Sequence, residues 1–174
     1  MVRRSGTTLD PRDFRTSAAI DNQALLLGPR GAVLHNLATR HYDTIQNADL
    51  PSRLRGAQVQ LRAYAGKFWA LDQTGGQATF AMVNVVDLGD RRTLKLKEGA
   101  SLAGPLRSVA SDDNRLIAVD RMGTPYWILD GANGTASEPV FGATSRGDIR
   151  QPTAAVFFKD SLLVIADTKR IWTY

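Results

Sequence analysis

Ala24-Leu25-Leu26-Leu27-Gly28, Phe68-Trp69-Ala70-Leu71-Asp72, Leu116-Ile117-Ala118-Val119-Asp120 and Leu163-Val164-Ile165-Ala166-Asp167 are four versions of one phrase. Each is a continuous apolar run of strand length that closes on Gly or Asp. The closing residues lie 44, 48 and 47 positions apart, and a near-constant spacing of this size marks a repeated supersecondary unit. A strand apolar at every position, rather than at alternate ones, has to bury both of its faces. The four runs therefore predict the buried second strands of four stacked sheets.

Working outward from each run, the same punctuation returns. Leu61-Arg62-Ala63-Tyr64 and the turn at Ala65-Gly66-Lys67 precede the second run. Ser108-Val109-Ala110-Ser111 with Asp112-Asp113-Asn114 precede the third, and Ala155-Val156-Phe157-Phe158 with Lys159-Asp160 the fourth. Gly, Asn and Asp supply the positive φ or the local hydrogen bonds that tight hairpins need. Third strands are predicted at Ala32–Leu37, Gln77–Val83, Pro125–Leu129 and Arg170–Tyr174, and outer strands at Tyr42–Ile45, Thr93–Leu96 and Pro139–Phe141. Gly28-Pro29-Arg30-Gly31 reads as a hairpin turn and not as a phosphate-binding loop. Helical periodicity is almost absent; its best stretch, Thr39–Leu54, is interrupted by Pro51. A β-sandwich of similar strand count is the alternative, which the repeat spacing disfavours.

Strand, turn, strand, turn, strand, longer loop, outer strand resembles a blade of the β-propeller superfamily. The similarity is to the quinoprotein-like and NHL type, in which a run like Leu116-Ile117-Ala118-Val119-Asp120 is the second strand. It covers residues 16–174. The Gly-His and Trp-Asp signatures of WD40 repeats and the double glycines of kelch repeats are missing. The resemblance implies an all-β fold, a β-propeller or partial propeller of about four blades, with residues 1–15 as an N-terminal arm. The fourth repeat reaches Tyr174 without an outer strand. Closure by Gly6–Leu9 from within is the favoured expectation, and completion by another chain the alternative.

Several chemistries are excluded or unsupported. There is no cysteine, which removes thiolate catalysis and cysteine-bound zinc. The two histidines, His35 and His41, have no further ligands at a recognisable metal spacing, and no Gly-x-Ser-x-Gly turn accompanies them. Asp72, Asp120 and Asp167 end equivalent strands, so they should recur around a ring and bond their own turns rather than converge on one substrate. Asp130-Gly131-Ala132-Asn133-Gly134-Thr135 lacks the alternating acidic ligands of a calcium loop. Arg146-Gly147-Asp148 matches an adhesion tripeptide by coincidence. The expectation is a protein with no catalytic residue, metal or cofactor: not an enzyme.

The chain carries 22 basic against 17 acidic residues, a net charge of +5, with arginines scattered as on a solvated surface. Nucleic acid is not expected. Arg3, Arg4, Arg12 and Arg15 form the one basic group, and with Trp172 and Tyr174 on the apolar final strand they are the candidate partner-binding residues. Trp69, Tyr126, Trp127 and Trp172 are the aromatics available to a sugar-binding face, but they are not at equivalent repeat positions and packing is expected for most. No apolar leader and no bilayer-length run appear, so an intracellular soluble protein is expected, or a virion component if the source is viral. Arg3-Arg4-Ser5-Gly6-Thr7 is similar to the Arg-Arg-Pro-Gly-Thr segment of propeller-containing tail-hub or nozzle proteins of short-tailed phages, with Ser5 in place of Pro. That resemblance implies a ring-forming subunit at the head–tail connection of a virion. The functional expectation is a non-enzymatic structural scaffold binding other protein subunits, as a homo-oligomer or in a larger complex. The alternatives are a carbohydrate- or small-ligand-binding, lectin-like propeller and an enzyme built on the repeated aspartates.

Overall fold

A computed structural model of the chain describes residues 11–112, 115–120, 125–128, 136–137, 152–158, 161–166 and 170–173. Each of the four apolar runs becomes the second strand of its own antiparallel sheet. The first sheet runs β1 (Thr16–Ile20), β2 (Gln23–Gly28), β3 (Gly31–Asn36) and β4 (His41–Gln46) in simple up-and-down order. The second runs β5 (Gln60–Tyr64), β6 (Lys67–Asp72), β7 (Gln77–Asp87) and β8 (Arg92–Ala103). The third comprises β9 (Ser108–Ser111), β10 (Leu116–Val119), β11 (Pro125–Ile128) and β12 (Ala136–Ser137). The fourth has three strands among the described residues, β13 (Pro152–Phe158), β14 (Ser161–Ala166) and β15 (Arg170–Thr173). The chain divides into two compact units, residues 1–72 with 80–98 and residues 73–79 with 99–174.

In the first unit the first two sheets share one core. Leu25, Leu27, Leu34 and Ile45 of the first sheet meet Leu61, Phe68, Ala70, Val83 and Leu94 of the second, all at most 5% exposed. Trp69 and Leu71, on the opposite face of β6, are 0% exposed as well. Burial on both faces explains why β6 is apolar at successive positions. A fully buried side chain of this size contributes roughly 1.5–3 kcal/mol.

The innermost strands β1 and β5 are joined directly: the Leu61 amide donates to the Thr16 hydroxyl at 2.8 Å. Two glycines fix the β2–β3 hairpin. A Cβ on Gly28 would stand 2.1 Å from the Asp13 carbonyl oxygen, and one on Gly31, at φ +145°, would stand 2.1 Å from that of Ile45. No side chain fits either place.

Thr39–Leu54 contains no α-helix. It forms β4 and then short 3-10 turns at Asn47–Asp49 and Ser52–Arg55. Arginines hold these turns: Arg15 donates to the Leu54 carbonyl at 2.7 Å, and Arg55 donates to the carbonyls of Leu50 and Ala48.

The β7–β8 hairpin, closed by the Leu88 amide on the Arg91 carbonyl, reaches back over this segment. Arg92 pairs with Asp43 at 2.7 Å, Arg91 with Asp49 at 3.4 Å, and Arg53 with Glu98. The outer strand expected at Thr93–Leu96 is longer than that, running from Arg92 to Ala103. Its inward residues Leu94, Ala100 and Leu102 are buried against the sheet, which overrides the polar look of the sequence between them.

The second unit repeats the joint between innermost strands. The Ala155 amide of β13 donates to the Ser108 hydroxyl of β9 at 3.3 Å, and that hydroxyl lies 3.4 Å from the Ala155 carbonyl. At the β9–β10 turn, Arg115 Nε donates to Asp112 Oδ2 at 2.8 Å, its amide donates to Oδ1 at 2.6 Å, and its guanidinium carbon stands 4.4 Å from the Phe157 ring centroid. The third sheet's outer strand among the described residues is the short β12 at Ala136–Ser137, paired with Ile128 and Trp127. Pro139–Phe141 lie outside the described residues. Among the described residues no helix is long and apolar enough to cross a membrane.

Candidate functional site

A concavity of the first unit lies between its two sheets, where the β1–β2 and β5–β6 turns come together. Asp21 (φ +49°), Ala65 (φ +50°) and Gly66 (φ +64°) take the left-handed conformation that such tight turns require. The cleft encloses about 490 Å³. Its polar lining is Asp21, Asn22, Gln23, Asn36, Lys67 and Asn84. Ile20, Phe68, Val83 and Val85 supply the apolar part. A second compartment of about 210 Å³ shares Gln23 and Asn36 with the first and adds His41, Asp43 and Arg92.

The walls are held by the fold itself. Asn36 Oδ1 accepts the amides of Ala38 and Thr39 at 3.0 and 2.9 Å, and the Leu37 amide donates to the Asn22 carbonyl at 2.7 Å. Asp43 lies between Arg92 at 2.7 Å and His41 Nε2 at 3.4 Å. His35 packs edge-on against Tyr42, with centroids 6.5 Å apart. The two histidines thus serve as a strand-end ring contact and a carboxylate neighbour. Among the described residues no three His, Asp or Glu side chains gather as metal ligands.

Of the residues singled out from the sequence, Arg12 is exposed and Arg15 is not available to a partner. The Arg15 guanidinium is committed to Leu54, and its Nε is buried without an acceptor. Trp69 is core, donating to the Tyr64 carbonyl at 3.3 Å, so it takes no part in any exposed aromatic face. Trp172 falls in β15, opposite Val164 of β14. Arg3, Arg4, Tyr174, Asp167, the proposed closing strand Gly6–Leu9, the Gly131–Thr135 loop and Arg146–Asp148 lie outside the described residues. Asp72 ends β6 and Asp120 follows β10, each half-buried.

Arg62, opposite Trp69 in the β5–β6 register, is half-buried, and burial pushes its guanidinium below the usual arginine range. Its bonds go to neutral acceptors, the Leu61 carbonyl at 3.0 Å and Gln60 Oε1 at 3.0 Å. The cleft residues Asn36 and Asn84 carry no local motif. Their one sequence signal is a polar amide where an apolar strand ends or continues.

No family model and no curated protein matches the chain. Solved structures do. The WD40 domain of SCAP from fission yeast superposes with a TM-score of 0.55 at 12% identity, over 94% of this chain and 40% of that one. WD40 domains are propellers of four-stranded blades. The fold is a propeller or partial propeller. The computationally designed Ika4 protein superposes with a TM-score of 0.52 at 12% identity, over 92% of this chain and 89% of that one. At such identities the likeness is one of fold alone, and it carries no link to quinoproteins or phage proteins. The propeller geometry is present without the Gly-His and Trp-Asp signatures of WD40 repeats.

Proposed function

We propose that the chain is a non-enzymatic interaction scaffold that works within a larger protein assembly. The observation behind this reading is β8, the outer strand of the second sheet and the longest in the described chain at 12 residues. An outer strand presents a row of backbone donors and acceptors beside its side chains. Along β8, Leu94 is buried and Leu96 half-buried, while Lys95, Lys97 and Glu98 are exposed. The strand is rooted in the core and pinned by ion pairs to the neighbouring sheet, so an incoming protein meets a surface that needs little ordering on binding. Its two lysines, on a chain of net charge +5, select an acidic partner surface.

In finer form the scaffold is a ring-forming subunit with quinoprotein-like or NHL-type blades, at the head–tail junction of a virion. The support for that placement is Arg3-Arg4-Ser5-Gly6-Thr7, and Arg3, Arg4, Arg12, Trp172 and Tyr174 would then join the contact surface.

Sedimentation equilibrium at low micromolar concentration tests the scaffold. We expect a mass above the 19.0 kDa of one chain, falling toward it in Lys95→Glu/Lys97→Glu and with added salt. A monodisperse single chain, indifferent to salt and to the charge reversal, overturns the reading.

A further inference from the structure

The cleft of the first unit has a chemistry that the scaffold reading leaves unused. Its larger compartment is lined by four amide-bearing residues, Asn22, Gln23, Asn36 and Asn84, with one acidic residue, Asp21, and one basic residue, Lys67. The smaller adds one carboxylate, Asp43, already paired with Arg92. Formal charge therefore cancels in each compartment. An ionic ligand would bring a charge that neither compartment is built to meet, and a dry hydrocarbon would strand the amides. An amide offers a donor and an acceptor side by side, as every hydroxyl group does.

We propose that this cleft binds a neutral polyhydroxylated ligand, a short oligosaccharide, with one sugar ring in each compartment. The volume of the larger compartment, about 490 Å³, lies within the roughly 300–1,000 Å³ usual for small-molecule sites. Ile20, Val83 and Val85, each partly or fully buried, give the C–H face of a ring an apolar surface, while the amides take its hydroxyls. Gln23 and Asn36 line both compartments and so stand where two linked rings would meet. Asn36 is set in place before any ligand arrives. Its Oδ1 is occupied by the Ala38 and Thr39 amides, and that turn makes no use of its Nδ2 hydrogens. Such fixing lowers the ordering cost of binding.

The test is a titration of the ¹⁵N-labelled chain with cellobiose, maltose, lactose and N,N′-diacetylchitobiose, following backbone and side-chain amide signals. At least one sugar should give saturable shifts centred on residues 20–23, 36, 66–68 and 83–85. Asn84→Ala changes an exposed position on β7, and Asn36→Asp keeps the acceptor that holds the turn while removing the Nδ2 donors. Each should weaken that sugar about tenfold, equivalent to about 1.4 kcal/mol. No saturable shift with any of the four sugars overturns the proposal. So do shifts centred elsewhere, unchanged affinity in Asn36→Asp, or tighter binding of a sulfated sugar than of its neutral parent.

Discussion

The first and second units join their innermost strands in the same way and then diverge. In the first, the Leu61 amide reaches the Thr16 hydroxyl at 2.8 Å; in the second, the Ala155 amide reaches the Ser108 hydroxyl at 3.3 Å. Both hydroxyls belong to the opening residue of an innermost strand, and both accept from the innermost strand of the next sheet. Around this shared joint the lateral attachments differ. The first unit adds ion pairs from the β7–β8 hairpin to the 43–53 segment, most of them at residues more than a third exposed. The second adds one compact group, Asp112–Arg115 packed against Phe157. A repeat can therefore keep its backbone joint while its outer attachments are replaced by chemically unrelated ones, because backbone joining needs only a hydroxyl at one position.

That comparison can be broken or sharpened by substitution. The largest effect is expected from Leu61→Ala, which removes a side chain 1% exposed from the shared core. We expect a loss of about 2–5 kcal/mol by denaturant unfolding, with hydrogen exchange accelerating in β1 and β5 before β9 and β13. Equal acceleration in both units would mean that the two unfold as one. Next comes Thr16→Val, which keeps the shape but strands the Leu61 amide, at about 1–3 kcal/mol. Ser108→Ala should cost less than Thr16→Val, about 0.5–1.5 kcal/mol, because its bonds are longer. A reversed order would show that the joints are not equivalent. The smallest effect belongs to Arg92→Ala: about 0.2–1 kcal/mol, since its side chain is 40% exposed, and smaller still at high salt. A loss that does not shrink with salt would assign Arg92 a packing role instead.

The architecture was largely legible because its deciding residues lie close together in sequence. The run Phe68–Asp72 is apolar at consecutive positions since both faces of β6 are buried, and Gly28-Pro29-Arg30-Gly31 turns where it should, with Gly28 opposite Gly31. The length of β8 was not legible. Gly99 and Ser101 interrupt its pattern locally, and its strand form comes from pairing with β7 and from burial of Ala100 and Leu102. Arg15 read as a surface charge because sequence does not reveal that a carbonyl, Leu54, awaits it 39 residues away. The cleft was invisible for the same reason: its lining comes from four separated segments, three at turns or strand ends and one, Val83–Val85, inside β7.

Gly28 and Gly31 carry a consequence for descent. Every replacement available to either codon introduces at least a methyl group, and at both positions the nearest carbonyl oxygen already occupies that space, 2.1 Å away. Any descendant that keeps this hairpin in its present geometry is therefore held to glycine at both sites, whatever stands between them.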